Sequence, residues 1–291
     1  MNFFEFNKKF PTELACIHYF INIRYTDKVR CNHCKSDKVS HRKNTPKVFD
    51  CSKCHNTFSI FKGTIFEKSD TDLRKWIYAI HLLLNSKKGI SGYQLQREIS
   101  VSYKTAWRIL YKIREAMGNK KNNDNDNFMN TIIEIDETYL GGKAENAHMK
   151  KRIKTKEKLK KDIVLGILER TKEVRAFRLD NTRANTIYGK IVENVAKDSK
   201  IITDEHKSYH HLHSMYDHTS INHSKGEFKK SNDLHTNTIE GFWSILKRGV
   251  YGVYHSISSK YVQNYVNEFC FRYNNRENDS IFNLVLKQAI L

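Results

Sequence analysis

The sequence contains no apolar run of the roughly 18 residues that a membrane-spanning helix needs, which argues against a helical membrane protein. Its opening residues, MNFFEFNKKFPTE, lack the unbroken apolar stretch and small-residue cleavage site of a secretion signal. Cysteine is sparse, with six in 291 residues. Four stand in two tight pairs, and Cys16 and Cys270 are isolated in apolar segments where core positions are expected. That pattern excludes a disulfide framework and favours metal binding in a reducing compartment. No internal repeat is present. Acidic residues are also in deficit, 32 Asp and Glu against 51 Lys and Arg, for a net charge of +19. Such an excess favours a polyanionic partner, because each neutralised phosphate releases condensed counterions. Charge alone leaves a ribosome-associated or membrane-surface protein open.

The 39% of residues that are hydrophobic suffice for real cores, and the 29% that are charged cover a polar surface. Residues 11–66 hold the cysteine pairs and short strand-like runs such as KVFDCSKC and TFSIF. From Thr71 to about Met117 the pattern is helical, with Leu73, Trp76, Ile77, Ile80, Leu83 and Leu84 on one apolar face. The stretch GNKKNNDNDNFMN (118–130) is polar and without periodicity, the mark of a linker. Beyond it, strands are expected at Thr131–Leu140, Ile163–Glu169, Val174–Leu179 and Ile201–Thr203, with a helix at Arg183–Ala196. Helices are expected again at 236–247 and 259–275, the latter with Tyr261, Tyr265, Phe269 and Tyr273 as a core stripe. The boundaries read as a cysteine-paired unit at 1–66, a helical segment at 67–117, the linker at 118–130 and a domain of mixed strands and helices at 131–291. A Lys-rich insert, 143–162, reads either as a solvated loop or as a DNA-clamping arm.

Cys31-Asn-His-Cys34 and Cys51-Ser-Lys-Cys54, with sixteen residues between the pairs, match the spacing of a structural zinc ribbon. Paired thiolates from two knuckles close a tetrahedral Zn²⁺ site, and metal binding supplies the stability that so small a unit cannot bury. His33 and His55 are expected to face solvent or phosphate. Residues Tyr93–Ile113 fit a helix-turn-helix, with the turn at Ser100–Ser102. In its second helix Ser102, Tyr103, Lys104, Thr105 and Arg108 would be the DNA readers, while Ala106, Ile109 and Leu110 pack inward. Two packed helices without DNA would show the same spacing.

Asp136 follows the alternating run Ile132, Ile133, Ile135 and so lies on a central strand, where a lone charge is expensive to bury. Asp204 ends the apolar strand IIT at a strand-to-helix junction. Together they fit carboxylates presented at one edge of a mixed sheet, able to hold two divalent ions. Asn237 and Glu240 are neighbours on one helix face, and Lys247, seven residues on, projects from the same side. That face offers an amide, a carboxylate and an ammonium that could hold a substrate phosphate. Trp243 and Leu246 are expected to pack the opposite face.

The order of zinc ribbon, helical segment, DETYLGGK, TDEHKSY, HTNTIEGFWSILKRGVYGVYH and FRYNNR resembles the bacterial insertion-sequence transposases related to the eukaryotic Merlin elements. The likeness runs from about Phe10 to Arg276. It implies an α/β, ribonuclease H-like catalytic core of the DDE type, in which Asp136 and Asp204 are the first two acidic ligands. The third position of that family is Asn, Glu or His followed by a Lys. Glu240, separated from Asp204 by thirty-five intervening residues and followed by Lys247 seven positions later, matches it, with Asn237 as the competitor. The resemblance further implies one structural Zn²⁺ and two catalytic Mg²⁺ or Mn²⁺ ions. It implies double-stranded DNA partners, namely transposon terminal inverted repeats and a target, and a homodimer or larger synaptic oligomer. A cytoplasmic, nucleoid-associated location follows, or a nuclear one in a eukaryotic host. The alternatives are a catalytically inactive sequence-specific DNA-binding protein and a nuclease of the same fold.

Overall fold

Apolar residues at three- and four-residue spacing build the first part of a computed structural model that describes residues 1–26, 28–42, 45–118, 129–141, 161–221 and 234–290. Residues 119–128 of the expected linker and 143–160 of the Lys-rich insert lie outside the described residues. The chain divides into two compact units, Met1–Lys120 with Glu277–Leu291, and Lys121–Arg276.

In the first unit, two helices not anticipated in the sequence, α1 (Phe3–Lys9) and α2 (Glu13–Arg24), precede the ribbon. Asn2 and Glu5 form a reciprocal capping box on α1, and Thr12 caps α2. The seven-residue α1 is too short to display a period, and α2 buries only Cys16, Ile17 and Phe20, too few to mark an apolar stripe. The ribbon is an antiparallel sheet of β1 (Val39–His41), β2 (Val48–Cys51) and β3 (Thr57–Ser59). Three helices follow, α3 (Leu73–Asn85), α4 (Gly92–Ile99) and α5 (Tyr103–Gly118). Helix α3 buries Leu73, Trp76, Ile77, Ile80 and Leu83, whereas Leu84 is only half-buried. Ser91 caps α4, which ends at Ser100 in the left-handed conformation (φ +50°), and Ser102 caps α5.

The second unit is a five-stranded mixed sheet covered on both faces. Its strands are β4 (Ile132–Leu140), β5 (Asp162–Glu169), β6 (Val174–Leu179), β7 (Lys200–Asp204) and β8 (Asp217–Ile221), ordered β6-β5-β4-β7-β8. On one side of the central β4, strands β5 and β6 run antiparallel; on the other, β7 and β8 run parallel. Strand β8, DHTSI, escaped the sequence reading because it has one aliphatic residue. Helix α6 (Ala184–Val192) is shorter than the expected Arg183–Ala196. It packs with a 3-10 segment, Lys207–Ser214, on one face of the sheet through Ile187, Ile191, Tyr209 and Leu212. Helices α7 (Asn237–Gly249) and α8 (Val262–Asn274) cover the other face through Ile239, Phe242, Trp243, Leu246, Val266 and Phe269.

Strand β5 shows why this works: Val164 and Leu168 face α7 and α8, while Leu165 and Ile167 face α6. A strand buried on both faces reads as a continuous apolar run. In α8 the expected Tyr261–Tyr265–Phe269–Tyr273 stripe is not the buried one. Val262, Val266 and Phe269 form the core face, and the tyrosines stay partly exposed. Their rings can then pack at the margin while the hydroxyls reach polar partners. Cys16 is fully buried and Cys270 partly so.

The last helix, α9 (Ile281–Ile290), differs from the expected 131–291 domain by packing with the first unit. Val285, Leu286, Ala289 and Ile290 are buried there, Phe282 meets Phe10, and Tyr19 donates to Asn283. Among the described residues no helix is long and apolar enough to cross a membrane.

Candidate active site and zinc centre

The register of the central sheet is what brings the acidic residues together. Glu134 lies opposite Ile202 in the parallel β4–β7 pair, so two residues further along, Asp136 stands beside Asp204 at the end of β7. Asp136, Glu137 and Asp204 each offer a carboxylate oxygen, all within 4.8 Å of one another. Burial, then the Asp204 charge, raise the Asp136 carboxyl to about 6, and Glu240 pushes in the same direction. Burial likewise takes Glu137 up to about 7, with Asp204 and Asp136 adding to it, against the opposing hydrogen bond from Tyr209. The buried Tyr209 phenol is raised well above its ordinary value by burial and then by Glu137. Three oxygen donors that repel one another are the donor set a hard divalent cation takes. His206 closes the rim: its backbone N–H donates to Asp204 Oδ1 at 3.0 Å, and its Nδ1 lies 3.9 Å from Glu137 Oε1.

Helix α7 lies over the same face of β4. Its apolar side, Ile239, Phe242, Trp243 and Leu246, is buried, and Trp243 Nε1 donates to Asp136 Oδ2 at 2.9 Å. Trp243 fits only because Gly166 stands opposite Asp136; a Cβ there would lie 2.6 Å from the indole. Glu240 is exposed in the first turn and accepts from Thr236 Oγ1 at 3.3 Å. It is near enough to raise Asp136 but is not one of the three carboxylates within 4.8 Å. Asn237, exposed, opens the helix, and Lys247, half-buried, lies in its last turn.

In the first unit Cys31, Cys34, Cys51 and Cys54 converge, with Sγ···Sγ separations of 3.6 Å for Cys31–Cys54 and for Cys34–Cys51. Four thiolates around zinc at about 2.3 Å would stand roughly 3.8 Å apart, so the residues fit the metal. The two knuckles repeat one geometry. Lys35 and His55 both adopt positive φ (61° and 57°), and their N–H groups donate to Cys31 and Cys51 carbonyls. Hydrogen bonds from the Asn56 backbone and side chain hold the Cys54 thiol down to about 6, which favours the thiolate that zinc binds. His33 and His55 are exposed. On α5, Ser102, Tyr103, Lys104 and Arg108 are exposed, Thr105 is half-buried against Ser102, and Ala106, Ile109 and Leu110 are buried.

Two family descriptions match the chain: "ISXO2-like transposase domain" over residues 128–274, half of its length, and "Transposase zinc-ribbon domain" over residues 11–57. The chain belongs to the ISXO2-like transposase family. It is also 32% identical over 136 residues to an "Uncharacterized protein in transposable element ISH50" of Halobacterium salinarum. That match covers 46% of this chain and 44% of the relative, so the chain spans less than half the length of the curated relative it matches.

Within this ISXO2-like chain, two carboxylates of the family segment were not singled out in the sequence. Glu137 sits next to Asp136 and therefore begins on the opposite face of β4; alternation hides it, because it reads as an outward polar residue. Glu134 is fully buried on the α7 side. The one signal for it is a charge flanked by isoleucines inside a central strand, the same signal that marked Asp136.

Proposed function

We propose that the chain is a DNA transposase that binds transposon terminal inverted repeats, cleaves the ends and joins them to target DNA by metal-dependent phosphoryl transfer. The observation that carries this is the convergence of Asp136, Glu137 and Asp204 in a basic chain of the ISXO2-like transposase family. The strand order supports a ribonuclease H-like core: three antiparallel strands ending on a central one, then two parallel strands beyond it. Asp136 and Asp204 are the metal ligands of this reading, with Glu137 beside them and Glu240 or Asn237 contributed by α7. Bound divalent ions would supply charge neutralisation at the scissile phosphate and a more acidic attacking hydroxyl.

What the chain itself contributes is placement. Trp243 fixes one oxygen of Asp136 and so orients the carboxylate beside Asp204. Lys247 projects from the helix face that bears Glu240 and is suited to a non-bridging phosphate oxygen. In the first unit, Lys104, Thr105 and Arg108 lie on the α5 face suited to a DNA groove, and the zinc ribbon adds a second DNA-binding module. Joining two ends in step calls for at least two copies of the chain.

The test is strand cleavage and strand transfer on duplexes taken from the DNA flanking the gene, with Mg²⁺ or Mn²⁺. Wild-type protein should nick and then join, whereas Asp136→Ala and Asp204→Ala should lose both activities and still bind DNA. Undiminished cleavage in either variant refutes the assignment. Cleavage without joining of pre-cut ends points instead to a nuclease, and binding without metal-dependent cutting to a regulator.

A further inference from the structure

Helix α7 has no capping hydrogen bond from its own N-cap residue, Thr236. Its cap comes from another element. Glu134 of β4, fully buried, accepts the Ile239 N–H through Oε2 at 2.9 Å and the Thr238 hydroxyl through Oε1 at 2.8 Å. Arg170, at the end of β5, donates Nε to Glu134 Oε1 at 2.6 Å and a terminal nitrogen to the His235 carbonyl at 2.7 Å. Its own N–H bonds the Ile132 carbonyl, which ties the guanidinium's base to β4. A buried ion pair is seldom worth more than an apolar pair of the same volume. A local Ser or Asp would cap the helix at lower cost. What the buried pair supplies is registry.

The spacing shows which registry. Glu134 and Asp136 are two residues apart on β4, hence on one face and about 6.6 Å apart. Their partners on α7, Ile239 and Trp243, are four residues apart, about 6.0 Å along the helix axis. Two matched rungs, Glu134 to Ile239 and Asp136 to Trp243, therefore lock helix to strand. Glu240 immediately follows the first rung.

We propose that Glu134, charge-balanced by Arg170, is a positioning residue. It sets the register of α7 on β4 and so the placement of Glu240 and Lys247 relative to Asp136 and Asp204. The proposal rests on the active-site reading above. Glu134 is fully buried and bonded to Thr238, Ile239 and Arg170, so it acts through the helix. Misplacing a reacting group by about 1 Å costs on the order of a hundredfold in rate, and a slipped helix would do so without disturbing DNA binding.

The test uses the full-length, zinc-loaded protein and single-turnover cleavage of the flanking-DNA duplex, with Asp136→Ala as a parallel control. Glu134→Gln should cleave about a hundredfold more slowly, bind the duplex within about twofold of wild type, and need more Mn²⁺ for half-maximal rate. Combined with Glu240→Gln, its loss should not multiply, since both changes act on the same helix. Should Glu134→Gln fail to fold, Thr238→Val removes one of the same contacts and should slow cleavage with the same non-additivity. Wild-type rates in the folded variants while Asp136→Ala is dead overturn the proposal and leave the metal site standing. Multiplying losses, or a wild-type rate in Glu240→Gln, overturn it as well. Wild-type cleavage by Asp136→Ala refutes the site reading itself, and the positioning role falls with it.

Discussion

Asp136→Asn should make the metal-free protein more stable at alkaline pH. The substitution removes one negative charge from the carboxylate cluster and keeps an oxygen to accept from Trp243 Nε1. In the folded chain, burial and Asp204 raise the Asp136 carboxyl from an ordinary 3.8 to about 6. A group that holds its proton more tightly when folded favours the folded state below its unfolded pKa. That contribution is lost as pH climbs through 6. A rise of about two pH units at 1.36 kcal/mol each is roughly 3 kcal/mol at most. Urea unfolding of zinc-loaded protein stripped of other divalent ions, followed by circular dichroism at pH 4.5 and 8, should show it. Wild type should lose about 2 kcal/mol relative to Asp136→Asn between those values, because pH 4.5 already lies above the unfolded 3.8 and about a third of the effect is gone there. Glu137 titrates in both proteins, and because Asp136 helps to raise it, the difference reports Asp136 together with its coupling to Glu137. Mn²⁺ at pH 8 should restore wild type and leave the variant unmoved. An Asp136→Asn protein equally destabilised at both pH values would falsify the reasoning.

Two further outcomes follow from the geometry. Cys51→Ser should lower the bound zinc from one ion per chain to a small fraction, measured by metal analysis after dialysis. It should also unfold the ribbon, whose sheet has only three short strands. Gly166→Ala places a methyl 2.6 Å from the Trp243 indole and should cost about 1–3 kcal/mol in unfolding free energy. It should also slow cleavage, because the indole it displaces is the one that holds Asp136.

Much of the second unit could be read from alternation and spacing. The runs at Ile132–Leu140 and Val174–Leu179 became strands at nearly the expected limits, because strands packed in a covered sheet concentrate β-branched and apolar residues in short runs. The zinc knuckles were legible for a different reason: four thiolates within a short stretch have few other ways to be satisfied. Short or polar elements were not legible. Helix α1 spans seven residues and β8 holds one aliphatic side chain, so neither carries a hydrophobic pattern, and only their neighbours make them regular. The tyrosine stripe of α8 misled because a helix shows several four-residue rows, and which one faces inward depends on the partner surface.

By itself the chain order marked Asp136 and Asp204 separately as carboxylates on apolar strands, and marked the paired cysteines and the helix face bearing Asn237, Glu240 and Lys247, since each rests on local spacing; the β4–β7 register then made the two aspartates neighbours. Tertiary structure alone decided that Glu137 joins the acid pair, that Glu134 caps a helix from 105 residues away in sequence, and that α9 belongs with the first unit. Those outcomes depend on register and on which surfaces meet, and contacts between distant segments leave no periodic trace in a sequence.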